Sequence, residues 1–180
     1  MGLPVTASGG CSPTTSIQQR QTPGDDTVIP TYTVSRLSQT SRARAQLDRG
    51  ANGCVFTDAA RMRGEHPGTA NVTAFNNHTI RNCQLVHGGA HANSDQGPCI
   101  IEINQSPYCP EGDFILSCIQ LEQDGCIIHD KSAQASGISP HIEKDGHRFP
   151  LYIENGLVYL PMRPCTDGEW ETLPHIRFTS

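Results

Sequence analysis

The chain has 180 residues, a hydrophobic fraction of 36% and a formal net charge of −5 with histidine neutral. That length predicts one domain with flexible ends. The acidic balance argues against a nucleic-acid binder, which clusters Lys and Arg to meet phosphates, and no apolar run approaches the roughly 18–20 residues of a membrane span. The start, Met1-Gly2-Leu3-Pro4, lacks the basic and apolar regions of a secretory signal. The expected location is therefore the cytoplasm. There the eight cysteines, none in a C-x-x-C pair, are free thiols, several of them serving as small apolar residues.

In chain order, residues 1–43 are crowded with Ser, Thr, Gln, Pro and Gly and hold few large apolar side chains. They read as a disordered arm, because so little apolar surface cannot offset the entropy of ordering. Arg44 to Leu47 is short and feebly apolar, and Asp48-Arg49-Gly50-Ala51-Asn52-Gly53 reads as a turn. Cys54-Val55-Phe56 resumes a strand. Ala70–Phe75 and Thr79–Val86 are short strands around an Asn76-Asn77 turn, and Gly88-Gly89 marks a hairpin or flexible tip. Cys99–Ile103 is the clearest strand of the first half.

Phe114-Ile115-Leu116 then leads into the one predicted helix. Ser117 and Gln120 form a capping-box pair, Cys118 and Leu121 follow at helical spacing, and Gly125 stands at the C-cap. Cys126-Ile127-Ile128 leaves as a strand. Phe149–Ile153 and Leu157–Met162 flank Asn155-Gly156, a strong hairpin signal because both turn residues tolerate positive φ. Many short strands with one short helix predict an all-β barrel or sandwich.

Several of these features, in this order, carry a resemblance. An Asp48-x-Gly50-Ala51 turn is followed by short strands, a Gly-Gly pair and the run Ile115-Leu116-Ser117-Cys118-Ile119-Gln120-Leu121 leading to Gly125. That run resembles the Leu-Leu-Ser-x-x-Gln-Leu-x-x-x-Gly signature closing the protease segment of copia-like LTR retrotransposon polyproteins. Phe149-Pro150-Leu151-Tyr152-Ile153, Asn155-Gly156-Leu157, Met162-Arg163-Pro164 and Leu173-Pro174-His175 are similar to the stretch that follows it.

The resemblance implies a small retropepsin-like β-barrel over residues 44–132, a linker and β-hairpin over 133–165 and a C-terminal tail over 166–180. It implies an aspartic endopeptidase acting on the retrotransposon polyprotein, with Asp48, Gly50 and Ala51 as the catalytic turn and no cofactor or metal. Each chain supplies one Asp, so the chemistry requires a C₂ homodimer in which two carboxylates share a proton. The family has Ser or Thr after the Asp, where this chain has Arg49. Guanidinium donates but cannot accept a hydrogen bond, and two dimer-related cations beside the dyad would favour its doubly ionised form. An active protease and an inactive retropepsin-like module therefore stand side by side.

Other constellations are weaker. His78, Cys83, His87 and His91 have zinc-like density, but Gly88-Gly89 and β-like surroundings argue against a shared helix face, leaving solvent-facing hairpin histidines. Cys109 with His129 has no nucleophile signature. Asp58, Asp95, Asp113, Asp124 and Asp145 lie outside any Asp-x-Gly-Ala context, which argues against a one-chain dyad.

Overall fold

The structure is a computed structural model and describes residues 29–34, 43–74, 76–110 and 112–180. In chain order it contains β1 (Thr31–Val34), β2 (Arg44–Asp48), β3 (Arg61–Ala74), β4 (Thr79–Ser94), β5 (Gly97–Pro107), β6 (Phe114–Ser117) and α1 (Cys118–Gln123). There follow β7 (Ile127–His129), α2 (Ala133–Ser136), β8 (His141–Lys144), β9 (His147–Pro150), β10 (Tyr152–Glu154), β11 (Leu157–Pro161), β12 (Arg163–Pro164), α3 (Asp167–Thr172) and β13 (His175–Arg177). Strands dominate, as the sequence predicts.

They form three sheets among the described residues: β1-β3-β4-β5-β13 with β12 against β4, β10-β11-β2-β6, and β7-β8-β9. No closed barrel forms among them, which corrects the architecture expected from the resemblance. Among the described residues helices number three, where the sequence predicts one. α3, within the expected C-terminal tail, carries a full capping box in which Thr166 and Glu169 bond each other's backbone N–H.

The long β3–β4 hairpin turns at Asn76-Asn77, with Asn77 at φ 62°. Gly88-Gly89, read as a tip, instead lies within β4. A Cβ at Gly88 would stand 2.1 Å from the Arg61 carbonyl oxygen, and one at Gly89 2.5 Å from that of Ile101. These glycines permit close strand approach rather than a turn. Pro67 is tolerated in β3 because the register shifts between Glu65 and Thr69, so no ladder bond is asked of it.

The expected disordered arm lies outside the described residues apart from 29–34 and 43. Within 29–34, β1 runs parallel to β3, and Val34 is fully buried. The stretch read as linker and hairpin is built into the sheets. The Asn155-Gly156 turn forms as predicted, with φ of 52° and 78°, and joins β10 to β11. β11 in turn pairs antiparallel with β2. Residues 166–180 contribute α3 and β13, the latter parallel to β5, and place Phe178 in the core.

One large apolar cluster runs from Ala45 to Phe178 in sequence and holds Phe56, Phe114, Leu116, Phe149 and Leu160. Phe56 packs on Phe114 with centroids 5.2 Å apart, and Phe149 on Phe178 at 5.0 Å. A smaller cluster of Val34, Ala51, Val55, Val72, Cys83, Cys109 and Ile115 lies on the other face of β6. Alternation explains the division: Phe114 and Leu116 point one way and Ile115 the other.

Candidate functional site

β2 is the central element of the site. Four of its five residues are buried despite their modest hydrophobicity. Ala45 and Leu47 enter the large cluster, so alternation turns Gln46 and Asp48 to the opposite face. Arg44, which weakens the strand on paper, is accommodated. Its guanidinium sits 3.7 Å from the Tyr159 ring centroid and bonds Tyr152 Oη and the Glu154 carboxylate. Gln46 is 2% exposed, and its Oε1 has no hydrogen-bond donor among the described residues.

Asp48 ends β2 and pairs in parallel register with Ser117, while Leu47 pairs with Leu116. The Asp48 turn and the Ile115–Leu121 segment, far apart in sequence, thus lie side by side. Asp48 is 4% exposed, and its Oδ1 accepts the Gly50 N–H at 2.7 Å. Ala51 is fully buried in the smaller cluster.

The 49–54 loop is held from two sides. Ser117 caps α1 by accepting the Gln120 N–H at 3.2 Å, and its hydroxyl donates to the Ala51 carbonyl at 2.7 Å. Gln120 does not complete the predicted reciprocal capping box. Its Oε1 reaches across to accept the Cys54 N–H at 2.8 Å, so a residue read as a helix cap serves the Asp48 loop. Asn52 fastens the far side, accepting the Thr33 N–H at 2.6 Å and donating to the Thr31 carbonyl at 3.3 Å. Nothing in the local sequence marks Asn52 or Gln120 for these tasks, since both partners are remote in the chain.

Arg49 turns toward α1 and the segment after β7. Its Nη1 lies 3.1 Å from Glu122 Oε1 and its Nε 2.5 Å from Asp130 Oδ2. The hydrogen bond from Arg49 holds the Asp130 carboxyl below its usual range, against the opposing effect of its partial burial. The Arg49 charge is therefore met by two carboxylates that the sequence reading did not connect to it.

The competing constellations are separated. Cys109 lies 3.3 Å from Cys83, sulfur to sulfur, whereas His129 stacks on His141 with centroids 4.4 Å apart. Burial pushes the Cys54 thiol up to about 12, and that of Cys118 up to about 11 even though Arg49 acts in the other direction. Such thiols are poor nucleophiles at neutral pH. His78, Cys83, His87 and His91 do not converge as ligands among the described residues, because His78 precedes β4 and the other three are spaced along that extended strand. His129, His141 and Glu143 do converge, with ligand atoms all within 4.8 Å of one another. An open cleft of about 580 Å³, lined by Glu102, Asp124, Lys144, Asp145, His175 and Arg177 among others, excludes Asp48, Gly50 and Ala51. Among the described residues no helix is long and apolar enough to cross a membrane.

No family model, curated protein or solved structure matches the chain.

Proposed function

We propose that the chain is an aspartic endopeptidase of retropepsin type, active as a homodimer on polypeptide substrates such as its own polyprotein, in the cytoplasm. The observation that carries this reading is the setting of Asp48: a nearly buried carboxylate at a strand end, anchored by the Gly50 N–H and braced by the Ser117-capped start of α1. In the dimer, two copies of Asp48 stand about the two-fold axis and share one proton, because two carboxylates about 3 Å apart resist joint ionisation. The ionised member takes a proton from water, and the oxygen attacks the peptide carbonyl. The protonated member hydrogen-bonds the carbonyl oxygen, and a proton then passes to the leaving amine.

Engagement of Arg49 by Glu122 and Asp130 favours activity, since both carboxylates offset the cation expected beside the dyad. A second reading, a catalytically silent retropepsin-like module, draws on the same residue. Arg49 cannot accept the hydrogen bond that a Ser or Thr hydroxyl would take from the partner loop.

The test compares the parent chain, Arg49→Ser and Asp48→Asn for pepstatin-sensitive cleavage of a peptide library across acidic and neutral pH, with dimerisation followed by sedimentation. The expected result is cleavage by the parent, faster in Arg49→Ser and abolished in Asp48→Asn. Activity confined to Arg49→Ser selects the silent module. A folded, dimeric Arg49→Ser chain that cuts nothing removes Asp48 from the catalytic role.

A further inference from the structure

The small sheet β7-β8-β9 brings together three side chains that the protease reading does not use. His129 and His141 face each other directly across β7 and β8. Glu143 is two residues beyond His141 and so lies on the same face. The imidazoles stack at 4.4 Å with planes 23° apart, and His141 is only 8% exposed.

The hydrogen-bond inventory of His141 is the informative feature. Nδ1 lies 2.7 Å from the Ser139 carbonyl oxygen, which can only accept, so Nδ1 carries a proton. Nε2 lies 3.0 Å from Glu143 Oε1, again an acceptor. In the neutral ring, the Nε2 lone pair points at a carboxylate lone pair, and a positive centre is needed to reconcile them. A second proton would serve, and so would a metal ion. A histidine whose Nδ1–H is fixed by a backbone carbonyl, leaving Nε2 for coordination, has the outer-shell arrangement of metal-binding histidines.

We propose that His129, His141 and Glu143 bind a divalent transition-metal ion of the zinc class, with water in the fourth position. Two imidazoles and one carboxylate favour zinc, cobalt, nickel or copper over calcium or magnesium. Bonds of about 2.0–2.2 Å in tetrahedral geometry set donor atoms about 3.4 Å apart. The His141–Glu143 pair is already near that spacing, and the half-buried His129 ring must turn out of its stack on His141 to aim a ring nitrogen at the same point, closing the remaining distances from within 4.8 Å. Arg148 is the competing cation, with its Nε 3.0 Å from the same Glu143 oxygen. Its side chain is 63% exposed, so it can swing away when the ion enters. The assignment is independent of Asp48 and of peptidase activity.

The test uses the full chain, stripped of metal and titrated with zinc chloride against a chromophoric chelator, then with cobalt(II) for its spectrum. One ion per chain is expected, with cobalt showing visible ligand-field bands and no sulfur-to-cobalt charge-transfer band. His129→Gln and Glu143→Gln should each weaken binding by at least about 100-fold, more than loss of an outer-shell partner does. Arg148→Gln should strengthen it several-fold by removing the competitor. Zinc should also shift the ring resonances of His129 and His141 in the parent, a readout that needs no variant to fold. The assignment is overturned if no zinc is taken up. Uptake that is indifferent to both Gln substitutions, or that carries a thiolate band, overturns it as well.

Discussion

The two ends of α1 are held in opposite ways. At its start, the Asp48 loop is fixed by bonds from Ser117 and Gln120 that involve no formal charge and sit in buried or part-buried surroundings. Beyond its end, the β7-β8-β9 sheet and the segment after β7 carry charged and titratable contacts, each with at least one partly exposed partner: Asp130 with Arg49, His141 with Glu143, and Arg148 with Glu143. Neutral buried bonds fix geometry whatever the pH or salt, because no proton or counterion competes for them. Ionic contacts at the surface contribute little to stability but can change state. One end of the helix is suited to holding a carboxylate still, the other to responding to ions.

The comparison breaks first if the buried end proves soft. Leu116→Ala removes a fully buried side chain from between β2 and the large cluster, and should cost about 2–5 kcal/mol in denaturant unfolding. Ser117→Ala is the sharper probe. It deletes the α1 cap and leaves the Ala51 carbonyl without its donor, for an expected loss of about 1–3 kcal/mol. That loss should be unchanged by salt, and a strongly salt-dependent loss would contradict the neutral character assigned to this end.

At the ionic end the effects are smaller and conditional. Arg49→Ser should change stability by no more than about 1 kcal/mol, since the Arg49 side chain is half exposed and its pairs are screened. The Asp130 carboxyl titrates below its ordinary 3.8 when folded, so the stabilisation is present above that value and lost as pH falls through the lower folded one. Unfolding midpoints of parent and Arg49→Ser should therefore converge on acidification below about pH 3.8.

The smallest expected effect is at His175. Burial opposes its charge, but bonds to the Glu102 carboxylate and the Trp170 carbonyl outweigh it and raise its pKa above 6.5. Its contribution is then fully present below pH 6.5, while Glu102 remains ionised, and fades as pH rises through the raised folded value. His175→Gln should lower the thermal midpoint slightly at pH 6 and not at all well above neutrality. A deficit that persisted at high pH would mean that packing against Trp170, not charge, is the source.

Much of the site was legible in the sequence because its signals are local. The Asp48-x-Gly50 turn, the Ser117 cap, the Gly125 C-cap and the Asn155-Gly156 hairpin each lie within a few residues and each forms. α1 even ends in a full Schellman pair, with Gly125 N–H on the Glu122 carbonyl and Cys126 N–H on that of Leu121. The glycines of β4 misled for a physical reason: Gly has two uses, turning and close approach, and sequence does not distinguish them. β13 is three residues long and lacks a strand-like pattern of its own; pairing with β5 creates it. The His129–His141–Glu143 group depends on the register of β7 against β8, which no periodicity within either strand announces. Thr166 and Glu169 also carry a local capping signal, which the fold uses at the start of α3.

The position of β2 between β6 and β11 also has a consequence in time. Both of its sheet partners are synthesised after it, and Arg44 closes onto Glu154, 110 residues downstream. At about 5–20 residues per second, the ribosome needs about 5 to 20 seconds to supply that partner, and contacts this distant form slowly even then. β2 thus cannot gain both of its sheet neighbours on a nascent chain that has not yet released β11. The strand that ends at Asp48 is therefore completed only after more than a hundred further residues have been made, so the order of the strands sets a delay between its synthesis and its closure.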